Sequence, residues 1–248
     1  MKSREMQKHI SATYITLRIG IAVLAIALPF ILWIGGYVSE GLELQESMSA
    51  YYHSGGGAMR DVFVGILFAI GVFLYLYKGF TTLENYALNL AGIFVVAVAL
   101  VPMEWDCGNS CNRFSLHGTF AVLFFLCIAY VCIFRASDTL SLITNKTKVR
   151  RFTRAYKLMG VGMIVSPFIA VLLTSILQLK SDLKPTVFVA EALGVFVFAS
   201  YWILKSIEIK QTNSERSAID GKLKTRRIKV RDTFKQISVD RIKPVRKK

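Results

Sequence analysis

The chain has 248 residues, of which 54% are hydrophobic and 19% charged, with a formal net charge of +15 and a mean hydropathy of +0.47. A soluble globular domain is about 45–50% apolar and about 25% charged, so this composition indicates a membrane protein. It excludes a disordered chain, and four scattered cysteines are too few for a disulfide-stapled secreted module.

Six nearly continuous apolar stretches predict six membrane-spanning helices. They run over Ile19–Tyr37, Val62–Tyr77, Tyr86–Met103, His117–Phe134, Leu158–Leu179 and Val187–Leu204. Each approaches the length of about 20 residues that a helix needs to cross a bilayer, and their all-round apolarity excludes a transmembrane barrel. We therefore predict an all-α fold, a polytopic transmembrane bundle of six helices with a basic, mobile cytoplasmic tail.

Lysine and arginine indicate the orientation of this bundle. The N-terminal segment, the connection between the fourth and fifth spans and the tail from residue 205 are basic, and the tail alone holds fifteen basic and five acidic residues. The positive-inside rule then places both termini in the cytoplasm. The predicted division is a cytoplasmic segment 1–18, a transmembrane domain 19–204 and a cytoplasmic tail 205–248. Compact loops and the absence of eukaryotic sorting signals favour a bacterial inner membrane.

The basic tail also indicates the partners. Polybasic segments on the cytoplasmic side are attracted to anionic lipid headgroups, which explains the charge without nucleic acid. Membrane lipids are thus the expected partners, nucleic acid is not, and a protein partner or a second copy of the chain stays open.

Polar residues able to do chemistry lie at the outer side of the predicted bundle. Glu191 follows Pro185 by six residues, which places it roughly 9 Å inside the last helix. A carboxylate in hydrocarbon needs a partner, and His117 and Arg113 are the candidates from the neighbouring outer region. Glu191, His117 and Arg113 are therefore a candidate ligand or ion site. A structural hydrogen bond, or stabilisation by the positive end of the helix, is the alternative.

Cys107 and Cys111 lie in an outer loop, separated by three residues that include Gly108. On an oxidising face this spacing favours a short disulfide. Zinc is the rival, but a tetrahedral site needs four ligands and no second cysteine pair lies on that side. We predict no metal and no cofactor.

Several short motifs carry a resemblance to a known group of membrane proteins. They are Ser47-Met48-Ser49, Phe63-Val64-Gly65, Leu90-Ala91-Gly92, Val101-Pro102 and Leu116-His117-Gly118. Together they resemble the six-helix membrane superfamily that includes the DRAM and Frag/Sfk-like proteins and related bacterial families of unknown function. The resemblance covers about residues 19–204. It implies a six-helix bundle with cytoplasmic ends and a role near lipid handling or membrane regulation, without an established catalytic set.

A second comparison concerns Ser49, His53 and Asp61. Their spacing is similar to the opening of the alkaline ceramidase and progestin-receptor-like membrane hydrolases, which bind zinc through histidines and carry a late His-x-x-x-His on one helix. This chain has only His9, His53 and His117, and no two of them are four residues apart. The zinc set of that family is therefore incomplete here.

Three functions follow from these patterns. The first, which we favour, is a non-enzymatic membrane protein that binds a lipid or a partner. The second is a small transporter or channel that uses Glu191 and His117 as proton or ion ligands. The third is an outer-facing lipid hydrolase that uses Ser49, His53 and Asp61, which requires the three side chains to meet in space.

Overall fold

The computed structural model describes residues 2–105, 115–177 and 185–212, and the described chain is helical with short connections. Six of its helices are long and apolar enough to cross a membrane. This confirms the predicted fold class, an all-α bundle of six spanning helices. The chain is therefore a multi-pass membrane protein.

The elements follow one another in a simple order. The first span consists of α1 (Lys2–Phe30), a π-helical turn (Ile31–Gly35) and α2 (Gly36–Glu40), and a short 3₁₀ helix (Ser49–Tyr52) follows. The remaining elements are α3 (Ala58–Leu76), α4 (Thr82–Leu100), α5 (Leu116–Tyr130), a second π-helical turn (Val131–Arg135), a 3₁₀ helix (Asp138–Leu142), α6 (Lys146–Leu177) and α7 (Pro185–Thr212).

Local sequence signals set several of these boundaries. The Thr81 hydroxyl caps α4 by accepting a hydrogen bond from the N–H of Glu84, and Ser115 caps α5 in the same way. The Glu84 carboxylate accepts from the N–H of Phe80, so a second free donor at the start of α4 is satisfied. The far end of α4 lies at Leu100, three residues before the predicted Met103, because Pro102 holds the residue before it in an extended conformation.

The six spans close into a ring. Each spanning helix packs against the next along the chain, and α1 packs against both α3 and α7. Arg18 of α1 bonds Ser206 of α7, so the beginning of the chain and the end of α7 lie at the same end of the bundle. We call this end the proximal end, and the end that holds the 3₁₀ helix Ser49–Tyr52 the distal end.

The tightest approach between spans is that of α3 and α4. A Cβ atom added to Gly71 would lie 2.8 Å from the backbone oxygen of Gly92, and one added to Gly92 would lie 2.7 Å from the oxygen of Gly71. Small residues at such a crossing let two membrane helices pack backbone against backbone. The Gly92 of the Leu90-Ala91-Gly92 motif is thus a packing residue.

Three helices continue beyond the predicted spans at the proximal end. The helix α1 begins at Lys2, α6 begins at Lys146 and α7 continues to Thr212. The predicted boundaries mark where hydrophobicity ends, whereas a helix continues as long as its backbone hydrogen bonds are satisfied. The residues 205–212, placed in the tail by hydropathy, therefore belong to α7, and the rest of the tail lies outside the described residues.

Candidate functional site

Glu191 joins α7 to the 3₁₀ helix at the distal end. Its Oε2 accepts a hydrogen bond of 2.7 Å from the N–H of Met48, and the N–H of Phe188 donates to the carbonyl of Glu46 over 2.9 Å. Met48 directly precedes the helical residues Ser49–Tyr52. A carboxylate that accepts from a backbone N–H there stabilises the start of that helix. Glu191 therefore has a structural partner in the connection between α2 and α3.

The loop itself packs into the bundle through Tyr51. Its ring is fully buried and lies so close to Gly36 that a Cβ there would be 2.9 Å from the ring. Burial raises the pKa of the Tyr51 hydroxyl above its ordinary value, although the N–H of Gln45 donates to its oxygen over 3.4 Å. The hydroxyl thus stays protonated at neutral pH. A glycine-rich turn follows in the chain, and Gly55 and Gly57 there have φ values of 73° and 102°, which favour glycine.

The two histidines at the distal end, His53 and His117, bond the segment that follows α4. His53 Nε2 lies 2.9 Å from the carbonyl oxygen of Met103, and His117 Nδ1 lies 2.7 Å from that of Val101. Since a carbonyl oxygen only accepts, each of these ring nitrogens carries a proton. His53 also stacks on Trp105 with ring centroids 5.3 Å apart. The two histidines hold the chain on either side of Pro102.

The two residues expected to form an ion or ligand site have different partners. Glu191 bonds Met48 and His117 bonds Val101, both through backbone groups. Within the part of the chain that the structure describes, no hydrogen bond joins Glu191 to His117. The third candidate, Arg113, lies outside the described residues. Transport through these residues stays a prediction.

The hydrolase candidates are also separated by their contacts. The Ser49 hydroxyl lies 3.4 Å from that of Ser47, His53 bonds Met103, and Asp61 pairs with Arg60 on the surface. In the described segments no hydrogen bond joins any two of Ser49, His53 and Asp61. Hydrolysis by these three residues stays a prediction.

The predicted disulfide between Cys107 and Cys111 lies outside the described residues. Among the residues that are described, no group of three or more histidine, cysteine, aspartate or glutamate side chains could hold a metal ion. The two cysteines of the fourth span, Cys127 and Cys132, are free thiols, and Cys132 is buried against Met163.

A second polar site, which the sequence analysis missed, lies at the proximal end. It contains six buried charged side chains, three basic and three acidic, so their formal charges cancel. We call it the ionic cluster; its members are Arg18, Glu84, Arg135, Asp138, Lys205 and Glu208. Charged groups buried in a membrane bundle are rare and need to be paired.

Lys205 and Glu208 form the centre of the ionic cluster. The Lys205 Nζ donates to Glu208 Oε2 over 2.7 Å, to Thr139 Oγ1 over 2.8 Å and to the carbonyl of Ala136 over 3.0 Å. All three ammonium hydrogens therefore have acceptors. The Glu208 carboxylate also accepts from the hydroxyls of Thr139 and Tyr156, over 2.7 and 3.0 Å. These bonds join α7 to α6 and to the connection that follows α5.

The remaining charges extend the ionic cluster around the ring. Arg135 forms an ion pair with Asp138 and donates to the Thr81 hydroxyl over 3.1 Å. Arg18 donates to the Tyr77 hydroxyl over 3.4 Å. Since these bonds connect α1, the α3–α4 connection and the segment after α5, the ionic cluster is a clamp that holds the proximal ends of the spans together.

The sequence contains a signal for this clamp. Arg135–Asp138 and Lys205–Glu208 are opposite charges three residues apart, and each pair directly follows an apolar span. Side chains with that spacing are neighbours on a helix. Two such pairs at the same predicted side of the membrane indicate paired charges, a signal that the assignment of Lys205 to the basic tail overlooks.

The chain has also been compared with known proteins. No family model, curated protein or solved structure matches it. The resemblance to the DRAM and Frag/Sfk-like superfamily therefore stays a prediction, and the function has to be argued from the geometry.

Replacing Glu191 with leucine is expected to destabilise the protein by about 1–3 kcal/mol, because the buried N–H of Met48 loses its acceptor. Glu191→Gln keeps an amide oxygen as acceptor and is expected to retain most of the stability. Thermal unfolding in detergent, followed by circular dichroism, measures both. Glu43→Leu, at an exposed glutamate of the same end, is the control. Equal melting temperatures for Glu191→Leu and the unmodified chain would show that the hydrogen bond between Glu191 and Met48 does not stabilise the protein.

Proposed function

We propose that this chain is a non-enzymatic membrane protein that binds a lipid acyl chain in an apolar cleft between α1 and α7. The cleft has a volume of about 170 Å³ and lies at the distal end. It is lined by eight apolar residues, of which four are aromatic: Phe30, Trp33, Phe188 and Phe196. This almost entirely apolar lining is the observation that carries the proposal, since the indole N–H of Trp33 is the one side-chain hydrogen-bonding group among the eight lining residues.

The first span, which forms one wall of the cleft, departs from regular α-helical geometry beside it. Pro29 has no N–H to donate, and the π-helical turn Ile31–Gly35 begins two residues after it. Such turns displace a helix locally and are frequent at functional sites. Phe30 and Phe196 meet across the cleft with ring centroids 5.7 Å apart. The interruption of α1 thus coincides with the opening against α7.

The cleft opens toward the membrane. Trp33, Val189 and Leu193, which line it, are each about half exposed, at 47%, 49% and 58%. On a spanning helix such exposed apolar groups face lipid. Glu191 lies on the same stretch of α7 but bonds Met48, so its carboxyl is occupied elsewhere. An acyl chain is the occupant that this environment supplies.

The proposal extends to family and location. Membership of the DRAM and Frag/Sfk-like superfamily, with a role near lipid handling, agrees with a lipid site. Exposed basic residues on the proximal part of α6, against exposed glutamates at the distal end, support cytoplasmic termini in a bacterial inner membrane. Labelling of an engineered tail cysteine in intact cells by a reagent that cannot cross the membrane would contradict this orientation.

Retention of lipid in mild detergent tests the cleft. Leu193→Trp places an indole in the cleft and is expected to remove a lipid that co-purifies with the unmodified chain. Leu172→Trp, at a residue of α6 with a similar exposure of 60%, is the matched control and is expected to retain it. Native mass spectrometry counts the lipids bound to each form.

Three outcomes would overturn the proposal. The unmodified chain could hold no lipid, or Leu193→Trp could hold as much as Leu172→Trp. Lipid turnover that both Ser49→Ala and His53→Ala abolish would instead establish the hydrolase. Each outcome separates lipid binding from one of its rivals.

A further inference from the structure

We propose that the proximal part of α6 is a binding site for the phosphate groups of anionic phospholipids. This site lies at the opposite end of the bundle from the lipid cleft and does not depend on it. It also differs from the predicted role of the tail, because it belongs to an ordered helix of the membrane domain.

The site is a row of exposed basic side chains on one helix, which we call the basic collar. Its members are Lys146, Lys148, Arg150, Arg151, Arg154 and Lys157. Lys146, Arg150 and Arg154 follow one another at intervals of four residues, and side chains with that spacing line one face of a helix. A lipid phosphate can therefore contact two or three of these cations at once.

The basic collar has no acidic counterpart on its own helix. The sequence of α6 contains neither aspartate nor glutamate, and within the described residues none of the six cations forms an ion pair. The ionic cluster is different, since its three cations are matched by three acids. Six exposed positive charges without acidic partners, four of them (Lys146, Arg150, Arg154 and Lys157) on one face of the helix, attract an anion from outside the chain.

The basic collar ends where the lipid-facing part of α6 begins. Leu158 is 74% exposed, and exposed apolar residues such as Val161, Phe168 and Leu172 follow it. Arg154 lies one helical turn before Leu158, and Lys157 directly precedes it. Exposed apolar residues of a spanning helix face acyl chains, so the adjacent cations lie at the depth of the phosphates. This position favours a phospholipid over a soluble polyanion.

Backbone N–H groups at the start of α6 already have an acceptor within the chain. Asn145 Oδ1 accepts from the N–H groups of Thr147 and Lys148, over 3.0 and 3.2 Å. The cationic side chains, rather than the free backbone donors of the helix, are therefore the binding groups. Arginine suits this role because its planar guanidinium forms paired hydrogen bonds with phosphate oxygens.

The test measures the preference of the full chain for phosphatidylglycerol over phosphatidylcholine in mixed detergent micelles, by native mass spectrometry. The variant Arg150→Gln/Arg154→Gln/Lys157→Gln removes three positive charges near the membrane surface. Its preference for phosphatidylglycerol is therefore expected to fall about 100-fold. The tail variant Lys222→Gln/Lys224→Gln/Lys235→Gln removes the same charge and is the matched control, expected to lose less. The melting temperature of each variant reports its folding.

A wild-type measurement accompanies the variants. Raising the salt concentration is expected to release phosphatidylglycerol from the unmodified chain, because the attraction is electrostatic. Inorganic phosphate at the same ionic strength is expected to release no more than chloride. Undiminished preference in the α6 variant, insensitivity to salt, or specific release by inorganic phosphate would each overturn the proposal.

Discussion

Replacing Lys205 with methionine is expected to reduce the free energy of unfolding by about 3–5 kcal/mol. The change leaves the Glu208 carboxylate, which is fully buried, without its cation, and it removes the donor to the carbonyl of Ala136. Thermal or denaturant unfolding of the purified chain in detergent measures the loss. The effect is large because a buried charge without its partner cannot recover the hydration it gave up on folding.

Two further variants distinguish the loss of the ion pair from a general effect of replacing a lysine of α7. Lys210→Met, at an exposed lysine of α7, is expected to leave stability almost unchanged. The double variant Lys205→Met/Glu208→Leu removes both charges and is expected to be more stable than Lys205→Met alone. Equal stability of Lys205→Met and Lys210→Met would show that the ionic cluster does not clamp the proximal end.

Replacing Gly71 with leucine is expected to destabilise the bundle by about 3 kcal/mol or more, because α3 and α4 would have to separate. Even a Cβ at this position would lie 2.5 Å from the Val96 side chain and 2.8 Å from the Gly92 backbone oxygen. Unfolding in detergent again gives the magnitude.

Gly65 provides the control on the same helix. It is exposed, and a Cβ there would meet nothing within 4 Å. Gly65→Leu is therefore expected to fold with nearly unchanged stability. If Gly71→Leu and Gly65→Leu unfolded at the same temperature, the close approach of α3 and α4 would not contribute to stability.

The six spans were predictable because the bilayer acts as a uniform solvent. A run of apolar residues of the right length has few alternatives in hydrocarbon, so hydropathy alone located the six spanning helices found among the described residues. The proximal ends were not predictable in this way. Residues 146–154 and 205–212 are polar enough to be read as connections, whereas their backbone hydrogen bonds continue the helices α6 and α7.

The partners of Glu191 and of the ionic cluster could not be predicted, because they come from parts of the chain that meet only in the folded bundle. The partner of Glu191 is a backbone N–H 143 residues away along the chain, and no pattern of residue types identifies such a donor. The ionic cluster required the ring to close, because Lys205 meets Thr139 only when α7 packs beside the segment after α5. The pairs Arg135–Asp138 and Lys205–Glu208 could each have been predicted from their spacing. That the two pairs lie together in one cluster with Arg18 and Glu84 could not.

The lengths of α3 and α4 bear on the membrane in which this protein can reside. Each has 19 residues, which is about 28 Å of helix, and exposed Lys78 lies two residues beyond the end of α3. Since Gly71 and Gly92 lock the two helices together, this hairpin cannot adjust its tilt as independent helices would. Hydrophobic mismatch in a thicker, sterol-rich bilayer would draw Lys78 toward the hydrocarbon. We therefore expect the α3–α4 hairpin to be more stable in a thin bilayer than in a thick one.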